Sequence, residues 1–293
     1  MAACVGSRDT QTFKRKLAKA TAIGVAGGLT DFMATTGWMH RSLTHKAYKL
    51  APPIEAAARA VIWGTGTRPR VWATVHRAHH DNADVAGDPH SPALQGRYGV
   101  FKLFFKNTPL YSRAARVVEK EDVFASDLQP DELDRKIFDK VQVGMVASLV
   151  AHISANRVTG NPGYLGAMSW VVEKAVYLFG GNIVNSIGHA GAHPLNALVA
   201  GEISPQPDGT FGADSKLVSL LTLGEGNQRY HHEHPESLYF GVIPDGGLPA
   251  RAAKDFGGTA ALLLVRMNLA EPATESAEVA SKTASPDLGM ATV

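Results

Sequence analysis

The sequence predicts an essentially all-α protein, and three observations support this fold class. Helical periodicity dominates residues 13–77. Two further helical segments, about 137–156 and 163–187, flank the turn-forming sequence TGNPG and therefore predict a helical hairpin. The chain also lacks a convincing stretch of the alternating apolar and polar residues that are typical of a half-buried β-strand.

The chain is predicted to consist of three segments. Residues 1–12 are polar, and we expect them to be disordered. Residues 13–267 form the folded domain, whose first helical region is interrupted at Pro52-Pro53 and between Gly64 and Pro69. Residues 268–293 are rich in Ala, Glu, Ser, Thr and Pro, so they have little to bury and should form a disordered tail.

Two loops are predicted within the folded domain. Residues 81–98 are rich in Gly, Pro and Asp, and they precede a polar helical connector. Residues 194–212 form the second predicted loop, after which the last helical region should begin near Asp214.

The composition excludes several kinds of protein. The formal net charge of +2 over 293 residues, with no basic run that could follow a groove, does not indicate a nucleic-acid partner. The single cysteine, Cys4, excludes a disulfide framework, a thiolate zinc site and an iron–sulfur cluster. Any metal ion must therefore be held by nitrogen and oxygen donors.

Hydropathy indicates membrane association but leaves the number of crossings open. The segment 20–39 is about as long as a crossing requires, but it contains Asp31. The candidate at 141–155 is short, and the candidate at 164–187 is interrupted by two adjacent charged residues. Charged residues in such segments normally face the interior of a helical bundle. We expect a multi-pass or partly inserted protein, with only one crossing before His40.

Histidines form the strongest chemical signal in the chain. Of the twelve, seven fall into three short boxes, and His189 stands alone in NSIGHAG. The boxes are HRSLTH with His40 and His45, HRAHH with His76, His79 and His80, and QRYHH with His231 and His232. Imidazole is a donor suited to iron, zinc, copper or nickel, so the boxes predict a metal site.

The spacing within the boxes predicts how they are arranged. His76, His79 and His80 stand at i, i+3 and i+4, which places them on one helix face, and QRYHH repeats that spacing with Gln228 in the first position. His40 and His45 are five residues apart, too far round an ideal α-helix to share a face. They should lie at a helix end or bind different metals. Eight histidines exceed the needs of one tetrahedral zinc, so two metal ions are the simpler interpretation.

The boxes resemble those of the membrane fatty-acid desaturases, in particular the acyl-CoA (stearoyl-type) branch and its bacterial relatives. HRSLTHKAYK resembles the family's HX4H box, and WATVHRAHH followed by GDPHSP resembles its HXXHH box. NSIGHAG resembles the element with the lone histidine, and GEGNQRYHHEHP resembles the last box. The similarity runs from about residue 30 to 245, in the family's order.

The resemblance implies a membrane-associated helical bundle with a cytosolic helical cap that carries a di-iron site. Such an enzyme binds two irons through histidine and uses O2 to remove two hydrogens from an acyl chain. The implied partners are a fatty-acyl substrate, the lipid bilayer and a separate electron donor of the ferredoxin or cytochrome b5 type with its reductase. A separate donor is expected because the sequence lacks the His-Pro-Gly-Gly haem motif of a fused cytochrome b5.

The resemblance also implies the ligand set, and it implies no catalytic residue beyond these ligands. The resemblance gives Asn185 a secondary role, through a bound water. Asn185 lies one helical turn before His189, so the two residues can face the same site. The implied iron ligands are His40, His45, His76, His79, His80, His189, His231 and His232.

Two departures from the family's pattern bear on function. Gln228 stands where this branch places a ligand histidine, and its amide oxygen is a weaker donor, although front-end desaturases also carry QXXHH. Thr74-Val75 replace the Arg-Asp pair that helps hold CoA in animal members, which leaves CoA, lipid or carrier protein as the acyl carrier. A hydroxylase or related oxygenase on the same scaffold, and an inactive metal-binding relative, are the alternatives.

Three other residues have competing interpretations. His90 is expected to form hydrogen bonds in its loop and not to bind a metal. Glu225 either accepts a hydrogen bond from a ligand imidazole or caps a helix. His152 is expected to be an interior histidine whose hydrogen bonds are satisfied.

Overall fold

The structure, a computed structural model, describes residues 2–121, 124–242, 244 and 247–273. These residues are mostly helical, as the sequence predicts. The α-helices are α1 (Ala2–Ala34), α2 (Pro52–Thr65), α3 (Pro69–Asp81), α4 (Gly99–Glu121), α5 (Val141–Val158), α6 (Gly163–Ile187), α7 (Pro194–Val199), α8 (Lys216–Leu221), α9 (Gln228–Glu233), α10 (Gly247–Lys254) and α11 (Phe256–Arg266). Thr35–Thr44 and Asp134–Phe138 are π-helical, and Ala93–Gln95 forms a 3₁₀ turn.

Two short strands correct the expectation that the domain contains no strand. β1 (Tyr48–Leu50) pairs antiparallel with β2 (Ala270–Pro272), with Leu50 opposite Ala270. A strand of three residues is too short for an alternating pattern to stand out in the sequence. β2 lies within the segment 268–293 that was predicted to be disordered, and from residue 274 onward that segment lies outside the described residues.

The amino-terminal helix also differs from its predicted bounds. α1 begins at Ala2, so it includes residues that the sequence analysis assigned to a disordered start. The division of the chain into three segments itself stays a prediction. Within the described part of the chain, we find no helix that combines the length and the apolar character required to cross a bilayer.

The chain divides into two compact units, of which unit 1 comprises Met1–Phe32, Arg59–Arg68 and Asp131–Phe179. It contains α5 and most of α6, which form the predicted helical hairpin, and Gly160 takes a φ of 81° in the turn between them. Glycine also lets α1 approach α6 closely, because a Cβ on Gly28 would lie 2.6 Å from that of Val176. The hairpin prediction is therefore confirmed.

Buried charged groups lie inside unit 1, as the sequence analysis expected of charges in apolar helices. Asp31 and Glu173 are both 4% exposed. The Lys174 ammonium donates to Glu173 Oε1 at 2.9 Å and to the carbonyl oxygen of Gly64 at 2.8 Å. Pairing of this kind offsets part of the cost of removing the charges from water.

Unit 2 comprises Met33–Ala58, Pro69–Pro130 and Gly180–Val293, and all the histidine boxes lie in it. Helix α3 packs against α4 and against the π-helix Thr35–Thr44, which fixes the first two boxes relative to each other. Two predicted bounds are wrong here. The loop at 194–212 contains α7, and the last box occupies its own helix, α9, instead of a helix that begins near Asp214.

Candidate metal centre

Five histidines in unit 2 bring their Nε2 atoms together. Consecutive Nε2 atoms are separated by 3.0 Å from His45 to His76, 3.1 Å from His76 to His80, 3.0 Å from His80 to His231 and 2.9 Å from His231 to His40. The first group is thus His40, His45, His76, His80 and His231.

Hydrogen bonding alone cannot satisfy this first group. The Nε2 atom of a neutral imidazole carries either one proton or one lone pair, so it forms one good hydrogen bond. The Nε2 atoms of His76, His80 and His231 each face two other Nε2 atoms. A cation among the five nitrogens would accept all their lone pairs, so these residues fit a metal ion.

The distances also bear on the coordination number. Two donors at right angles about an ion, each about 2.1 Å from it, lie about 3.0 Å apart, whereas tetrahedral donors lie about 3.4 Å apart. The observed spacings of 2.9–3.1 Å match donors at right angles. The first group therefore favours an ion with five or six ligands over a four-coordinate zinc.

A second group consists of His79, His189 and His232, whose donor atoms lie within 4.8 Å of one another. His232 Nε2 is buried and has no hydrogen-bond partner, as expected of a nitrogen reserved for a metal. The two groups adjoin, because the ring of His232 stacks on that of His80 with centroids 4.1 Å apart.

Helix geometry explains how one box serves both groups. On α3, His76 and His80 are one turn apart and enter the first group, while His79 enters the second. On α9, His231 enters the first group and His232 the second. The predicted sharing of a helix face is confirmed, and each helix divides its histidines between two neighbouring positions.

The first box meets one of the two alternatives that were expected of it. His40 and His45 enter the same group, instead of serving different metals. They can do so because the π-helix bonds residues five apart, and the His45 N–H donates to the His40 carbonyl oxygen at 3.1 Å. Residues five apart therefore lie above one another, with ring centroids 5.0 Å apart. His45 does end this helix, so the other half of the expectation is confirmed.

A carboxylate lies behind one imidazole in each of three places. Asp88 is 2.8 Å from His79 Nδ1, Asp84 is 2.9 Å from His189 Nδ1, and Glu225 is 2.8 Å from His40 Nδ1. A carboxylate at Nδ1 fixes the proton there, which leaves Nε2 as a lone-pair donor and orients the ring.

Hydrogen bonds from the loop around Asp88-Pro89-His90 hold two of these carboxylates in place. Asp88 accepts the backbone N–H groups of Asp84 at 2.7 Å and His90 at 2.8 Å, and Asp84 accepts the Ser91 hydroxyl at 2.5 Å. His90 stacks on His79 with centroids 4.7 Å apart. The backbone N–H of His90 forms a hydrogen bond in the loop, but its buried Nδ1 has no partner, and His79, Asp88 and His90 form a third group that could hold a metal ion. The expectation that His90 does not bind a metal therefore stays a prediction.

Glu225 belongs to a buried network with Arg41. Arg41 is fully buried, donates to Glu225 Oε1 at 2.8 Å and meets both oxygens of Asp255 at 3.1 Å. The Thr36 hydroxyl also contacts Glu225. Of the two interpretations of Glu225, the structure supports the acceptor behind a candidate ligand.

The environment keeps most of these imidazoles neutral. Burial and neighbouring histidines hold the pKa values of His45, His76, His79, His231 and His232 well below their usual range, and they lower the pKa of His80 to about 3. Neutral imidazole is the form that binds metal. Burial opposes the charging of His189 as well, but the Asp84 carboxylate raises the pKa of His189 above its ordinary value.

Gln228 and Asn185 occupy different positions relative to the two groups. Gln228 is buried, and its side chain helps to raise the pKa of His189, a member of the second group. Asn185 donates from Nδ2 to Asn107 Oδ1 on α4 at 3.1 Å. Its predicted role through a bound water stays a prediction.

A cavity of about 430 Å³ opens beside the histidines, with His45, His80 and His232 in its wall. These three residues come from both groups. The cavity rim includes Arg77, which donates to Asp127 Oδ1 at 2.6 Å. Small molecules can therefore reach the candidate centre from this side.

Sequence reasoning missed several residues that build this site. Asp84 and Asp88 were not assigned, although Asp88 lies in the Asp-Pro-His element that the analysis singled out. Arg41 stands inside the first box, directly after His40, but its partner Asp255 is distant in sequence. Nothing in the local pattern identifies Asp255.

Fold and site together define a helical protein with a candidate metal centre whose two main groups are built from histidines alone. The sequence profile of the family "Fatty acid desaturase" matches residues 18–245 of the chain. The chain therefore belongs to the fatty acid desaturase family.

Three relatives illustrate the similarity. A probable acyl-CoA desaturase of Schizosaccharomyces pombe is 29% identical over 216 residues, which cover 72% of this chain and 41% of that protein. Stearoyl-CoA desaturase 5 of Bos taurus is 27% identical over 219 residues, covering 71% and 59%. Hex-5-enoyl-(acyl-carrier protein) acetylenase of Moorena producens is 23% identical over 222 residues, covering 70% and 63%. In these matches the chain spans 41–63% of its relatives' length.

Proposed function

We propose that this chain is an O2-dependent fatty-acyl desaturase whose eight boxed histidines hold two irons. The observation that carries the proposal is the pair of adjoining groups, five histidines and three, in a member of this family. The convergence of their imidazole nitrogens supports ligand roles for His40, His45, His76, His79, His80, His189, His231 and His232.

Iron is favoured by the donors. Imidazole suits iron as well as zinc, but spacing at right angles and five donors in one group exceed what tetrahedral zinc uses. The two irons would activate O2, which is the oxidant that removes hydrogen from an unactivated methylene.

The reaction balances only with an external reductant. One saturated CH2–CH2 unit, O2, two electrons and two protons give one CH=CH unit and two waters. A separate electron donor of the ferredoxin or cytochrome b5 type would supply the electrons. The cavity that exposes His45, His80 and His232 gives O2 and water a route to the centre.

The chain's own residues prepare the site for this chemistry. Asp84, Asp88 and Glu225 hold the Nδ1 protons of three ligands, so their Nε2 atoms stay unprotonated and aimed inward. Arg41 neutralises the charge of Glu225 and holds it in place. Fixed ligands of this kind keep the reacting atoms in a constant geometry.

Membrane association is part of the proposal and is supported by unit 1. Val143, Val146 and Val150 recur at helical spacing on α5, and each is more than half exposed. Val171 on α6 is similarly exposed. Lipid tails would cover such apolar surfaces, with the metal site on the cytosolic side.

The substrate is a fatty-acyl chain on a carrier, and the relatives' names divide between two carriers. Two name acyl-CoA or stearoyl-CoA, and one names an acyl-carrier protein. The decisive experiment therefore offers the purified full chain stearoyl-CoA, a stearoyl carrier protein and a phospholipid in parallel. Each reaction contains O2 and either a ferredoxin or a cytochrome b5 reducing system.

We expect a new double bond in one of these substrates, detected by mass spectrometry, together with two irons per chain. His80→Ala should abolish the product, because it removes a donor from the centre of the first group. A hydroxylated product would identify the oxygenase alternative. Two bound irons without any product in all six combinations would support the inactive relative and contradict the proposal.

A further inference from the structure

The two groups differ in their donors. The first offers five imidazoles, whereas the second offers three imidazoles and the side chain of Gln228. Gln228 is 2% exposed, so its side chain is buried within the site.

The hydrogen bonds fix which end of the Gln228 amide faces the second group. Gln228 Nε2 donates to the backbone carbonyl oxygen of Glu225 at 2.6 Å. The NH2 group and the oxygen of an amide diverge from the same carbon, so Oε1 faces a different direction from the Glu225 carbonyl oxygen that accepts from Nε2. The Gln228 side chain helps to raise the pKa of His189, as an acceptor oxygen near the ring does, and Gln228 Cγ packs against Gly188, so Oε1 lies on the side of the second group.

The backbone makes room for this side chain. Gly188 directly precedes His189, and a Cβ on it would lie 2.8 Å from Gln228 Cγ. Any larger residue would have to displace Gln228. The glycine thus keeps the amide within reach of the group that contains His189.

We propose that the two groups hold their ions with unequal strength, and that the amide oxygen of Gln228 sets the difference. This inference rests on the proposed two-metal centre. Iron(II) prefers imidazole nitrogen to a neutral amide oxygen, which suits harder cations such as Mg²⁺ or Mn²⁺. The ion of the second group should therefore exchange first, while the five-histidine group retains its ion.

A chelation series tests this inference without measuring activity. The purified full chain is loaded with Fe(II) under anaerobic conditions and dialysed against graded EDTA, and iron per chain is counted by mass spectrometry. Changes next to a ligand typically alter metal affinity by about 10- to 100-fold. A different ligand in one group should therefore separate the EDTA concentrations at which the two irons are lost by at least about 10-fold.

Variants at position 228 should rank by donor strength. Gln228→His and Gln228→Glu should shift the loss of the first iron to a higher EDTA concentration. Gln228→Leu should reduce the iron content of the loaded chain to about one iron per chain. Gln206→His is the matched control, because Gln206 bonds to the carbonyl oxygen of Gly212 in a loop. It should leave both steps unchanged.

The outcomes separate this inference from the proposed function. Two irons lost in a single step, at an EDTA concentration that Gln228→His, Gln228→Glu and Gln228→Leu do not move, would overturn the inference and leave the two-metal centre standing. A chain that binds no more than one iron, even as Gln228→His or Gln228→Glu, would overturn both. One iron in the natural chain and two in either of these variants would support the inference in its strongest form.

Discussion

Histidine–carboxylate pairs occur in both units, and among the described residues only those in unit 2 lead to a candidate metal centre. In unit 1, His152 Nε2 lies 2.8 Å from Glu173, and its Nδ1 lies 2.9 Å from the Ser169 hydroxyl. Both ring nitrogens are used, as the sequence analysis expected of an interior histidine. In unit 2, Asp88 uses Nδ1 of His79 and leaves the other nitrogen for the group.

The difference shows what distinguishes a ligand from a buried polar residue. A carboxylate partner orients an imidazole in either setting. What unit 2 adds is a set of second nitrogens that converge on one another, and among them Nε2 of His232 has no hydrogen-bond partner. Convergence of several imidazole nitrogens, and not the histidine–carboxylate pair, therefore distinguishes the candidate metal centre.

The largest expected contrast between the two units comes from replacing one histidine in each of them with alanine. His79→Ala leaves two histidines and Gln228 in the second group, so we expect the loss of one iron and of all detectable desaturation. His152→Ala should keep two irons per folded chain. Metal counting and product analysis on both variants measure the contrast. Full activity in His79→Ala would mean that the second group is not part of the reaction.

A smaller effect should follow from changing a carboxylate behind a ligand. Asp84→Asn keeps the shape of the side chain but cannot hold the His189 Nδ1 proton as a carboxylate does. Such changes typically cost about 10- to 100-fold in metal affinity or activity. EDTA competition should show this loss for Asp84→Asn, and the exposed Asp208→Asn serves as the matched control. Equal iron retention in the two variants would refute the role given to Asp84.

Much of the site could be predicted because most of its histidines lie in short sequence motifs. The spacing i, i+3, i+4 of His76, His79 and His80 needs only an α-helix to bring the rings onto one face. The same holds for α9, and the TGNPG turn was enough to predict the hairpin. Where one regular element fixes the geometry, sequence spacing translates directly into position.

The remainder depends on contacts that no local pattern records. The π-helix under His40 and His45 departs from the α-helical spacing on which the sequence argument relied. Asp255 reaches Arg41 across more than 200 residues of chain. β1 and β2 are each three residues long, and their pairing joins positions 48–50 to 270–272. Such features arise from tertiary packing, which can override local preference.

The smallest expected effect comes from a substitution next to His152 in unit 1. Ser169→Ala removes the hydroxyl at His152 Nδ1 and leaves that buried nitrogen without its partner. An unmade hydrogen bond of this kind costs about 1 kcal/mol, which corresponds to a fall in Tm of about 2–4 °C in a chain of this size. Iron content should stay at the natural value, because Ser169 contacts a histidine whose nitrogens serve the packing of unit 1. Thermal unfolding in detergent and metal counting on the same preparation provide both readouts. If Ser169→Ala instead lost iron while its Tm stayed unchanged, the distinction between a satisfied histidine and a ligand histidine would not hold for this protein.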